Sequence, residues 1–249
     1  FAVIAVQSDG KAVFGGAGGT IVNGVSVNGL VRLTAAGVVD PSFALAGVSA
    51  SSVSSVAVLP DGRMLVGGYL TVPNVTTARF GRISATGSWE AALLSYTDSS
   101  YSIGKIVLPS DGKIWAGAFG SLDSGSFAVW RLSPLGIIEQ RFTAYSANAT
   151  WAFAPAGDDR LIAEMRSGTN PGQSAARFAA NGTLDGPIAQ TEISTGVQTV
   201  VTAPGGMLYV AGEFTRINGA PQRRLARLNA DGSLDATFAV GSGFDRTPE

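Results

Sequence analysis

The chain has 249 residues and a net charge of −1, and 45% of its residues are apolar against 14% that are charged. Lysine occurs only at Lys11, Lys105 and Lys113, so the chain lacks the clustered cations that neutralise nucleic-acid phosphates. Cysteine and histidine are absent, which excludes disulfides, thiolate zinc sites and catalysis by either residue. No apolar run reaches the about 18 residues of a membrane-spanning helix. Carboxylates, tyrosines and oxygen ligands for hard cations remain as the chemical groups of interest.

The first element of each repeating unit is a pair of apolar stretches around a polar turn, which we name strands A and B. The turn is Asp9-Gly10 in the first unit, Asp61-Gly62 in the second and Asp111-Gly112 in the third. Asp-Gly between two apolar runs is a strong hairpin signal, and it predicts positive φ at both turn residues. Degenerate versions follow at Gly157-Asp158-Asp159 and Gly205-Gly206.

The second element is a motif that occurs five times at a spacing of 46 to 50 residues. It starts with arginine and an apolar residue and ends, after a glycine, with an apolar residue and an acid. A three-residue loop closed by the glycine makes strands C and D, and places Arg227 opposite Asp235 and Leu228 opposite Leu234. Because the charged pair recurs in every unit, we interpret it as a structural device that fixes register, each pair contributing about 0.2–1 kcal/mol. The five pairs are Arg32 with Asp40, Arg82 with Glu90, Arg131 with Glu139, Arg177 with Asp185, and Arg227 with Asp235.

Two hairpins per unit give four strands, and helical periodicity is nowhere sustained. Five such units predict an all-β fold, a five-bladed β-propeller with four antiparallel strands per blade. The unbroken repeat favours one domain over residues 1–249. The approximate blades are 1–51, 52–102, 103–149, 150–196 and 197–249.

Two segments carry a family resemblance. One runs from Val6 to Lys11 and is followed by Gly15-Gly16; the other runs from Arg227 to Asp235 and is followed by Phe238. Both closely resemble the bacterial delta-60 repeat, a propeller-like repeat of uncharacterised function. The resemblance covers all five units, most clearly the first and the last. It implies a large, repetitive, exported bacterial protein, and it implies no reaction, ligand or catalytic residue.

The B–C connections vary in length, whereas the A–B and C–D turns are tight. Variable loops on a repetitive scaffold are a usual place for binding, so we expect a site on the face that carries the B–C and D–A connections. Amides and carboxylates beside aromatic rings suit sugars, although turn chemistry alone also explains loop asparagines. The candidate ligand-binding residues are Asn74, Tyr96, Tyr101, Asp123, Tyr145, Asn170, Arg216, Asn218 and Arg223.

These observations predict a non-catalytic binding or interaction module of a larger secreted or surface protein of a bacterium, with carbohydrate or a protein as the partner. The alternatives are a structural spacer or docking scaffold and, less in keeping with the sequence, a glycoside-active enzyme. Such an enzyme needs two opposed carboxylates, for which Glu164 and Glu213 at the ends of two B strands are the candidates. We expect no cofactor, no nucleic acid and no membrane span. Calcium is the alternative cofactor, because Asn229, Asp231 and Asp235 resemble part of a calcium loop; a tight hairpin explains the same residues.

Tryptophan positions complete the pattern. Trp89, Trp115 and Trp151 align with Val, Leu or Ile of other units, which predicts core positions. Trp130 departs from the repeat, and the repeat itself does not explain it. Its equivalents in the other units are Val31, Gly81, Ala176 and Ala226.

Overall fold

The computed structural model describes residues 3–72, 75–95, 101–120, 126–145, 152–164, 173–190, 197–239 and 241. Strands make up most of this part, and its helical element is a 3-10 turn at Pro204–Gly206. None of the helical structure within these ranges is long and apolar enough to cross a membrane. The chain divides into two compact units: one comprises Phe1–Phe119 and Leu132–Ile137, the other Gly120–Arg131 and Ile138–Glu249.

The strands of the first unit are β1 (Val3–Val6), β2 (Ala12–Val22), β3 (Val25–Leu33), β4 (Ser49–Val58), β5 (Met64–Val72), β6 (Val75–Ile83), β7 (Trp89–Ser95), β8 (Tyr101–Val107) and β9 (Ile114–Gly120). The second repeat is a complete antiparallel sheet, in which four strands pair in the order β4-β5-β6-β7. The first repeat pairs β1, β2 and β3, and a bridge between Ala17 and Ser52 joins it to the second.

The strands of the second unit are β10 (Ser126–Leu132), β11 (Ile138–Tyr145), β12 (Phe153–Ala156), β13 (Arg160–Glu164), β14 (Gln173–Phe178), β15 (Leu184–Gln190), β16 (Val197–Thr202), β17 (Leu208–Gly212), β18 (Arg216–Ile217), β19 (Ala220–Pro221) and β20 (Leu225–Leu228). The fourth repeat is complete, in the order β12-β13-β14-β15. The fifth pairs β16, β17 and β20, while β18 and β19 form a small hairpin of their own. The prediction of an antiparallel all-β fold is confirmed, and the sheets of the described part do not close into a barrel.

The A–B turns of the first two repeats are three-residue loops. The N–H of Gln7 donates to the carbonyl of Lys11 (2.8 Å), and the N–H of Gly10 donates to the carbonyl of Gln7 (3.0 Å). Gly10 has a φ of 81°, but Asp9 does not have positive φ, so that part of the turn prediction was wrong. The Asp9 carboxylate instead accepts the N–H of Lys11 at 3.2 Å. The aspartate therefore stabilises the loop through an Asx-type hydrogen bond.

The C–D hairpins follow the register expected from the motif. In the fifth repeat the N–H of Asn229 donates to the carbonyl of Ser233 (2.8 Å), and Leu228 forms a bridge with Leu234. Gly232 has a φ of 90°, in the left-handed region that favours glycine. Apolar pairs in the same register join Leu33 with Val39, Ile83 with Trp89, and Phe178 with Leu184.

Strand D is reduced to an isolated bridge in the first and fifth repeats. In the first repeat the Asp40 carboxylate accepts the N–H of Ser42 (2.9 Å), which turns the chain immediately after the acid. In the fifth repeat Asp235 makes the same bond with Thr237 (2.9 Å). The predicted fourth strand is therefore lost where an aspartate closes a local turn with the backbone two residues on.

Strand D persists where that turn is unavailable. The second and third repeats carry Glu90 and Glu139, in β7 and β11, whose longer side chains reach the paired arginines. The fourth repeat carries Asp185, but the residue two positions on is Pro187, which has no N–H to donate. Strand D is thus lost where the acid is an aspartate and the residue two positions on has a free N–H.

The B–C connections of the first and fifth repeats are β-hairpins, where the sequence analysis expected loops. Asn23-Gly24 connects β2 to β3 with φ values of 49° and 80°. Asn218-Gly219 connects β18 to β19 with φ values of 49° and 79°. Positive φ at both residues defines the type I′ turn that Asn-Gly favours. The hairpin signal was present in both segments, and the loop expectation was wrong there.

The tips of these two hairpins return to the C–D turns of their own repeats. The Nδ2 of Asn23 donates to the carbonyl of Gly37 at 3.3 Å, and the Nδ2 of Asn218 donates to the carbonyl of Gly232 at 2.7 Å. In β2, register shifts between Gly15 and Thr20 bend the strand toward this contact. In these repeats the B–C connection therefore contacts the C–D turn.

Each unit has its own hydrophobic core. Strands A, B and C supply it, and in β5 the five consecutive residues from Met64 to Gly68 are buried, so both faces of that strand are covered. In the first unit Val13, Met64 and Val66 are at most 1% exposed; in the second unit Val197, Val210 and Phe214 are fully buried.

Trp130, which the repeat pattern does not explain, takes the place of a small residue of another repeat. Trp130 is 2% exposed, so it is a core residue of strand C. The equivalent residue of the second repeat is Gly81, and an added Cβ there would lie 2.0 Å from Cη2 of Trp89. Strand D supplies the bulky side chain in the second repeat and strand C supplies it in the third. The two positions therefore fill one space in alternative ways.

Candidate binding cleft

A cleft of about 530 Å³ opens between the A–B turns of the first two repeats, within the first unit. Its walls are two loops held by their own backbone hydrogen bonds, which makes the cleft largely preformed. Its size lies within the about 300–1,000 Å³ that is usual for small-molecule sites. The lining residues are Val6, Gln7, Ser8 and Asp9 from the first turn, and Val58, Leu59, Pro60, Asp61 and Gly62 from the second.

Gln7, one of the residues that line this cleft, has an unusual side-chain acceptor. Its Oε1 is buried and has no hydrogen-bond partner among the residues described. Leaving a buried polar atom without a partner costs about 1–3 kcal/mol, so native structures rarely keep one without cause. A donor from a bound molecule would satisfy this atom.

The two carboxylates of the cleft are each paired with a neighbouring cation. The Nε of Arg63 donates to Oδ2 of Asp61 at 2.7 Å, and this bond holds the pKa of Asp61 below its ordinary value. Nζ of Lys11 lies 3.5 Å from Oδ2 of Asp9. About half of each aspartate side chain is exposed. The two aspartates can therefore accept hydrogen bonds from a ligand, while a neighbouring cation balances the negative charge of each.

Lys11 also connects the cleft to a buried ion pair. Its Nζ lies 3.3 Å from Oδ2 of Asp40, a residue only 5% exposed. The hydroxyl and N–H of Ser42, and then Lys11 and Arg32, hold the pKa of Asp40 well below its ordinary range. Asp40 therefore stays ionised and helps to fix the Lys11 side chain at the rim of the cleft.

The structure brings together all five arginine–acid pairs of the repeat motif. In each pair the arginine Nε donates to a carboxylate oxygen, as expected for charges that face each other across a hairpin. The distances are 2.9 Å for Arg32–Asp40, 2.9 Å for Arg82–Glu90, 3.3 Å for Arg131–Glu139, 2.6 Å for Arg177–Asp185 and 2.7 Å for Arg227–Asp235.

Most of the ligand-binding residues predicted from the sequence cannot be placed. Asn74, Tyr96, Asp123 and Asn170 lie outside the described residues. Tyr101 and Tyr145 belong to β8 and β11, but their side chains lie outside the description.

The remaining three candidates cluster at the β18–β19 hairpin, and all are exposed. Asn218 occupies the type I′ turn and holds the carbonyl of Gly232, and an Nη2–H of Arg216 donates to the carbonyl of Gly219. Arg223 lies just after the hairpin, where its carbonyl accepts the N–H of Leu225 at 2.8 Å. The structure thus brings Arg216 and Asn218 together, with their side chains bonded within the hairpin and to the adjoining turn.

Sequence reasoning missed the cleft because it judged each A–B turn separately. A tight turn offers no site by itself, and the concave surface arises only where two such turns lie side by side. Neither Gln7 nor Pro60 carries a signal of this in the sequence.

The groups considered for catalysis or calcium are placed as follows. Glu213 is exposed after β17, and Glu164 ends β13 with its side chain outside the description. In the fifth C–D turn the carboxylate of Asp231 accepts the hydroxyl of Ser233 at 2.7 Å, and that of Asp235 accepts Thr237 at 2.6 Å. Within the described ranges, no group of three or more acidic residues gathers as metal ligands would.

A buried arginine lies outside the repeat motif. Arg79 is 2% exposed, and its guanidinium carbon lies 4.1 Å from the ring centre of Tyr69. Its Nε and Nη1 have no hydrogen-bond partner in the part of the chain that is described. Stacking on the aromatic face is thus its main observed stabilisation.

Comparison with known proteins supports the repeat architecture. The family model described as "Domain of unknown function (DUF5122) beta-propeller" matches residues 7–43 and 204–238. These two segments reach from an A–B turn to the end of the C–D motif, in the first and in the fifth repeat. A propeller-like repeat family is therefore represented near both ends of the chain, and the delta-60 name remains a prediction. The comparison with curated proteins gave no match.

Solved structures show the same fold at low sequence identity. A gluconolactonase from Xanthomonas campestris has a TM-score of 0.51 at 16% identity, covering 93% of this chain and 73% of that chain. PorZ, a surface component of the type-IX secretion system of Porphyromonas gingivalis, has a TM-score of 0.51 at 15% identity, covering 95% and 34%. YCF48 bound to a D1 peptide has a TM-score of 0.52 at 11% identity, covering 94% and 66%. This protein has a β-propeller type of fold. Since such folds carry many activities, function has to be argued from the site.

Proposed function

We propose that this chain is a non-catalytic binding module whose ligand occupies the cleft between the A–B turns of repeats one and two. The observation that carries the proposal is a cleft of about 530 Å³ lined by Gln7, a residue whose buried Oε1 has no hydrogen-bond partner among the described residues. A ligand donor that fills this position regains the hydrogen bond that the free protein lacks.

The chemistry of the lining favours a neutral polyhydroxylated ligand, with carbohydrate as its class. Gln7, Asp9 and Asp61 all present acceptor oxygens, so the ligand has to supply donors. Each aspartate is already paired with a cation, so an additional full charge on the ligand gains little. Val58 and Pro60 offer apolar surface to the C–H groups of a sugar ring.

Binding is favoured over acid–base catalysis in this cleft. A glycoside-active enzyme needs one carboxyl that keeps its proton near neutral pH. Arg63 lowers the pKa of Asp61, which works in the opposite direction. The same proposal includes no cofactor, and calcium is tested as an added component in the experiment below.

The wider setting of the module is part of the proposal. We infer five blades from the five copies of the arginine–acid motif, and a larger extracellular or cell-surface bacterial protein from the resemblance to an exported repeat family. The surface location of PorZ is a property of that protein, and its likeness supports the fold alone.

The test is thermal unfolding against a panel of neutral sugars, amino sugars and uronates, with and without calcium. A ligand that binds only the folded state raises the midpoint. We expect a rise with a neutral sugar, and we expect Gln7→Leu to abolish it while leaving the ligand-free midpoint equal or higher, because leucine removes the unpaired acceptor. Gln198→Leu, at an exposed glutamine of β16, is the matched control. A rise that survives Gln7→Leu would refute the cleft as the site.

The scaffold alternative rests on a different feature. The β2–β3 hairpin carries exposed apolar side chains near its tip, with Ile21 70% and Val25 46% exposed. Exposed apolar residues at a hairpin tip suit protein contacts. No midpoint shift with any sugar, together with a protein partner lost on Ile21→Lys, would favour this function.

A further inference from the structure

Four asparagines of the chain are followed directly by glycine, and this dipeptide is the one in which asparagine most readily loses its side-chain amide. Glycine has no Cβ to shield its main-chain nitrogen, so that nitrogen can attack Cγ of the asparagine before it. The four pairs are Asn23-Gly24, Asn28-Gly29, Asn181-Gly182 and Asn218-Gly219. They share one reaction, so the structure around each pair decides how fast it runs.

The reaction needs water and no other reagent. A bond forms between the glycine nitrogen and Cγ, and the bond from Cγ to Nδ2 breaks. Nδ2 leaves as ammonia, together with the proton that the glycine amide gives up. Water then opens the resulting ring at either carbonyl, which yields aspartate or isoaspartate. Because Cγ has to reach the glycine nitrogen, contacts that hold the side chain or the glycine in place slow the reaction.

The pair at Asn28 is held inside the β2–β3 ladder. The Nδ2 of Asn28 donates to the carbonyl of Val48 at 3.1 Å. Gly29 is buried, and a Cβ added to it would lie 2.8 Å from Cβ of Ala50 and 3.1 Å from the carbonyl oxygen of Ala50. The glycine main chain therefore has no room to rearrange toward the asparagine side chain.

The pair at Asn181 is held by the C–D turn of the fourth repeat. Oδ1 of Asn181 accepts the N–H of Thr183 (3.1 Å) and the hydroxyl of Thr183 (2.7 Å). The N–H of Gly182, whose nitrogen would attack, donates to the carbonyl of Ala179 at 2.9 Å. A Cβ on Gly182 would lie 3.0 Å from the carbonyl oxygen of Arg141. Both partners of the ring closure are thus engaged in the turn.

The two remaining pairs form the tips of the β18–β19 and β2–β3 hairpins, where the glycines have space. A Cβ added to Gly24 or to Gly219 would meet no atom of the described chain within 4 Å. The tip of β18–β19 is nevertheless held by two side-chain bonds. The Nδ2 of Asn218 donates to the carbonyl of Gly232 at 2.7 Å, and an Nη2–H of Arg216 donates to the carbonyl of Gly219. Opening this tip breaks both bonds.

The tip of β2–β3 is held, within the described structure, by one longer side-chain bond. The Nδ2 of Asn23 donates to the carbonyl of Gly37 at 3.3 Å, beyond the about 2.7–3.2 Å that is usual for such bonds. Ile21 occupies the position of Arg216 and has no donor that could close the turn. These differences lie within each hairpin and the C–D turn of its own repeat. Asn23 is thus the least restrained of the four asparagines.

We propose that Asn23 is a site of spontaneous deamidation and reacts first among the four pairs. The loss of one hydrogen bond favours the open tip about two- to tenfold, so Asn23 deamidates faster than Asn218 by about that factor. The product has no amide N–H to donate to Gly37, and its carboxylate places a negative charge beside that carbonyl. Isoaspartate also adds a methylene to the main chain, which a two-residue turn does not accommodate. Deamidation therefore releases the tip of the β2–β3 hairpin from the C–D turn.

The test is incubation of the full chain in mildly alkaline buffer, with deamidation of each pair followed by peptide mass spectrometry with fragmentation. The same incubation in urea is the control, because all four pairs are then unfolded. We expect Asn23 to react first in the folded chain, and the four rates to converge in urea. Arg216→Ile removes one of the two bonds of the β18–β19 tip and should speed deamidation of Asn218 about two- to tenfold. Arg223→Ile, at an exposed arginine just after that hairpin, is the matched control and should leave the rate unchanged.

Faster deamidation of Asn28, Asn181 or Asn218 than of Asn23 in the folded chain overturns the proposal. A folded chain in which Asn23 keeps its amide while the urea sample loses it also overturns it, because the hairpin then protects the site. A difference between Asn23 and Asn218 that persists unchanged in urea overturns it too, since the difference then comes from the local sequence. Equal rates at Asn218 in the two arginine variants would contradict the role assigned to Arg216.

Discussion

Gly81 and Trp89 provide the sharpest test of how the repeat is packed. An ideal Cβ on Gly81 would lie 2.0 Å from Cη2 and 2.5 Å from Cζ3 of Trp89, and 2.9 Å from the carbonyl oxygen of Ala91. The backbone contact cannot be relieved by a side-chain rotation. Overpacking of this kind costs about 1–3 kcal/mol, so we expect Gly81→Ala to be destabilising by that amount. In a chain of this length each kcal/mol corresponds to about 2–4 °C in Tm.

Other repeats show how the cost is relieved. At the same two positions repeat four has Ala176 with Leu184, and repeat five has Ala226 with Leu234. Trp89 is partly buried against the core, so Trp89→Leu alone is expected to cost less than the about 3–5 kcal/mol of truncating a fully buried tryptophan to alanine. In the double variant the added methyl occupies space that the indole has vacated. We therefore expect the two changes to be less costly together than their sum by about 1 kcal/mol or more.

The assay is urea unfolding of wild type, both single variants and the double variant, followed by circular dichroism. Coupling between residues in contact typically reaches about 0.5–3 kcal/mol, whereas independent sites add within about 0.3–0.5 kcal/mol. Additive free energies would refute the idea that the two positions share one space.

Three further predictions follow from individual side chains. The pKa of Asp40 lies below its ordinary value of 3.8, so the ionised side chain stabilises the fold fully above that pH and loses this effect as the pH falls below it. Asp40→Asn should therefore lower Tm at pH 7 and make Tm fall less steeply on acidification. A variant whose Tm depends on pH as that of the wild type does would contradict this. Arg79→Met should not lower Tm, since it removes a buried cation whose Nε and Nη1 have no hydrogen-bond partner among the described residues. Arg32→Met loses three hydrogen bonds and should lower Tm, and equal losses in the two variants would contradict this contrast. Asp235→Glu should break the hydrogen bond from the N–H of Thr237 and speed hydrogen exchange of that amide, whereas Asp235→Asn should keep the bond. Equal exchange rates of the Thr237 amide in the two variants would contradict the account of strand D.

The repeat and the C–D register follow from the sequence because they rest on local, recurring chemistry. Arg227, Asp235 and Gly232 have fixed roles in one hairpin, and the same residue types recur in every unit. The loss of strand D in two repeats was also encoded locally, in the choice of aspartate before a residue with a free N–H. The B–C hairpins were encoded by Asn23-Gly24 and Asn218-Gly219, a signal that was applied to the A–B turns instead.

The cleft could not be predicted in the same way. It depends on how the A–B turns of two repeats lie beside each other, and the packing between repeats sets this distance. Gln7 looks like an ordinary turn residue in the sequence, and only its burial beside the second turn leaves Oε1 without a partner among the described residues. Residues that act between repeats carry little local signal, whereas residues that act within a hairpin carry much.

The most direct test of the proposed binding role is a nitrogen-15 NMR titration of the full chain with the sugar that raises Tm most. We expect the largest amide shifts at Gln7 to Asp9 and at Leu59 to Gly62, the two walls of the cleft, with saturation at one site. Shifts centred instead on Asn218 to Arg223, or an absence of saturable shifts, would contradict it.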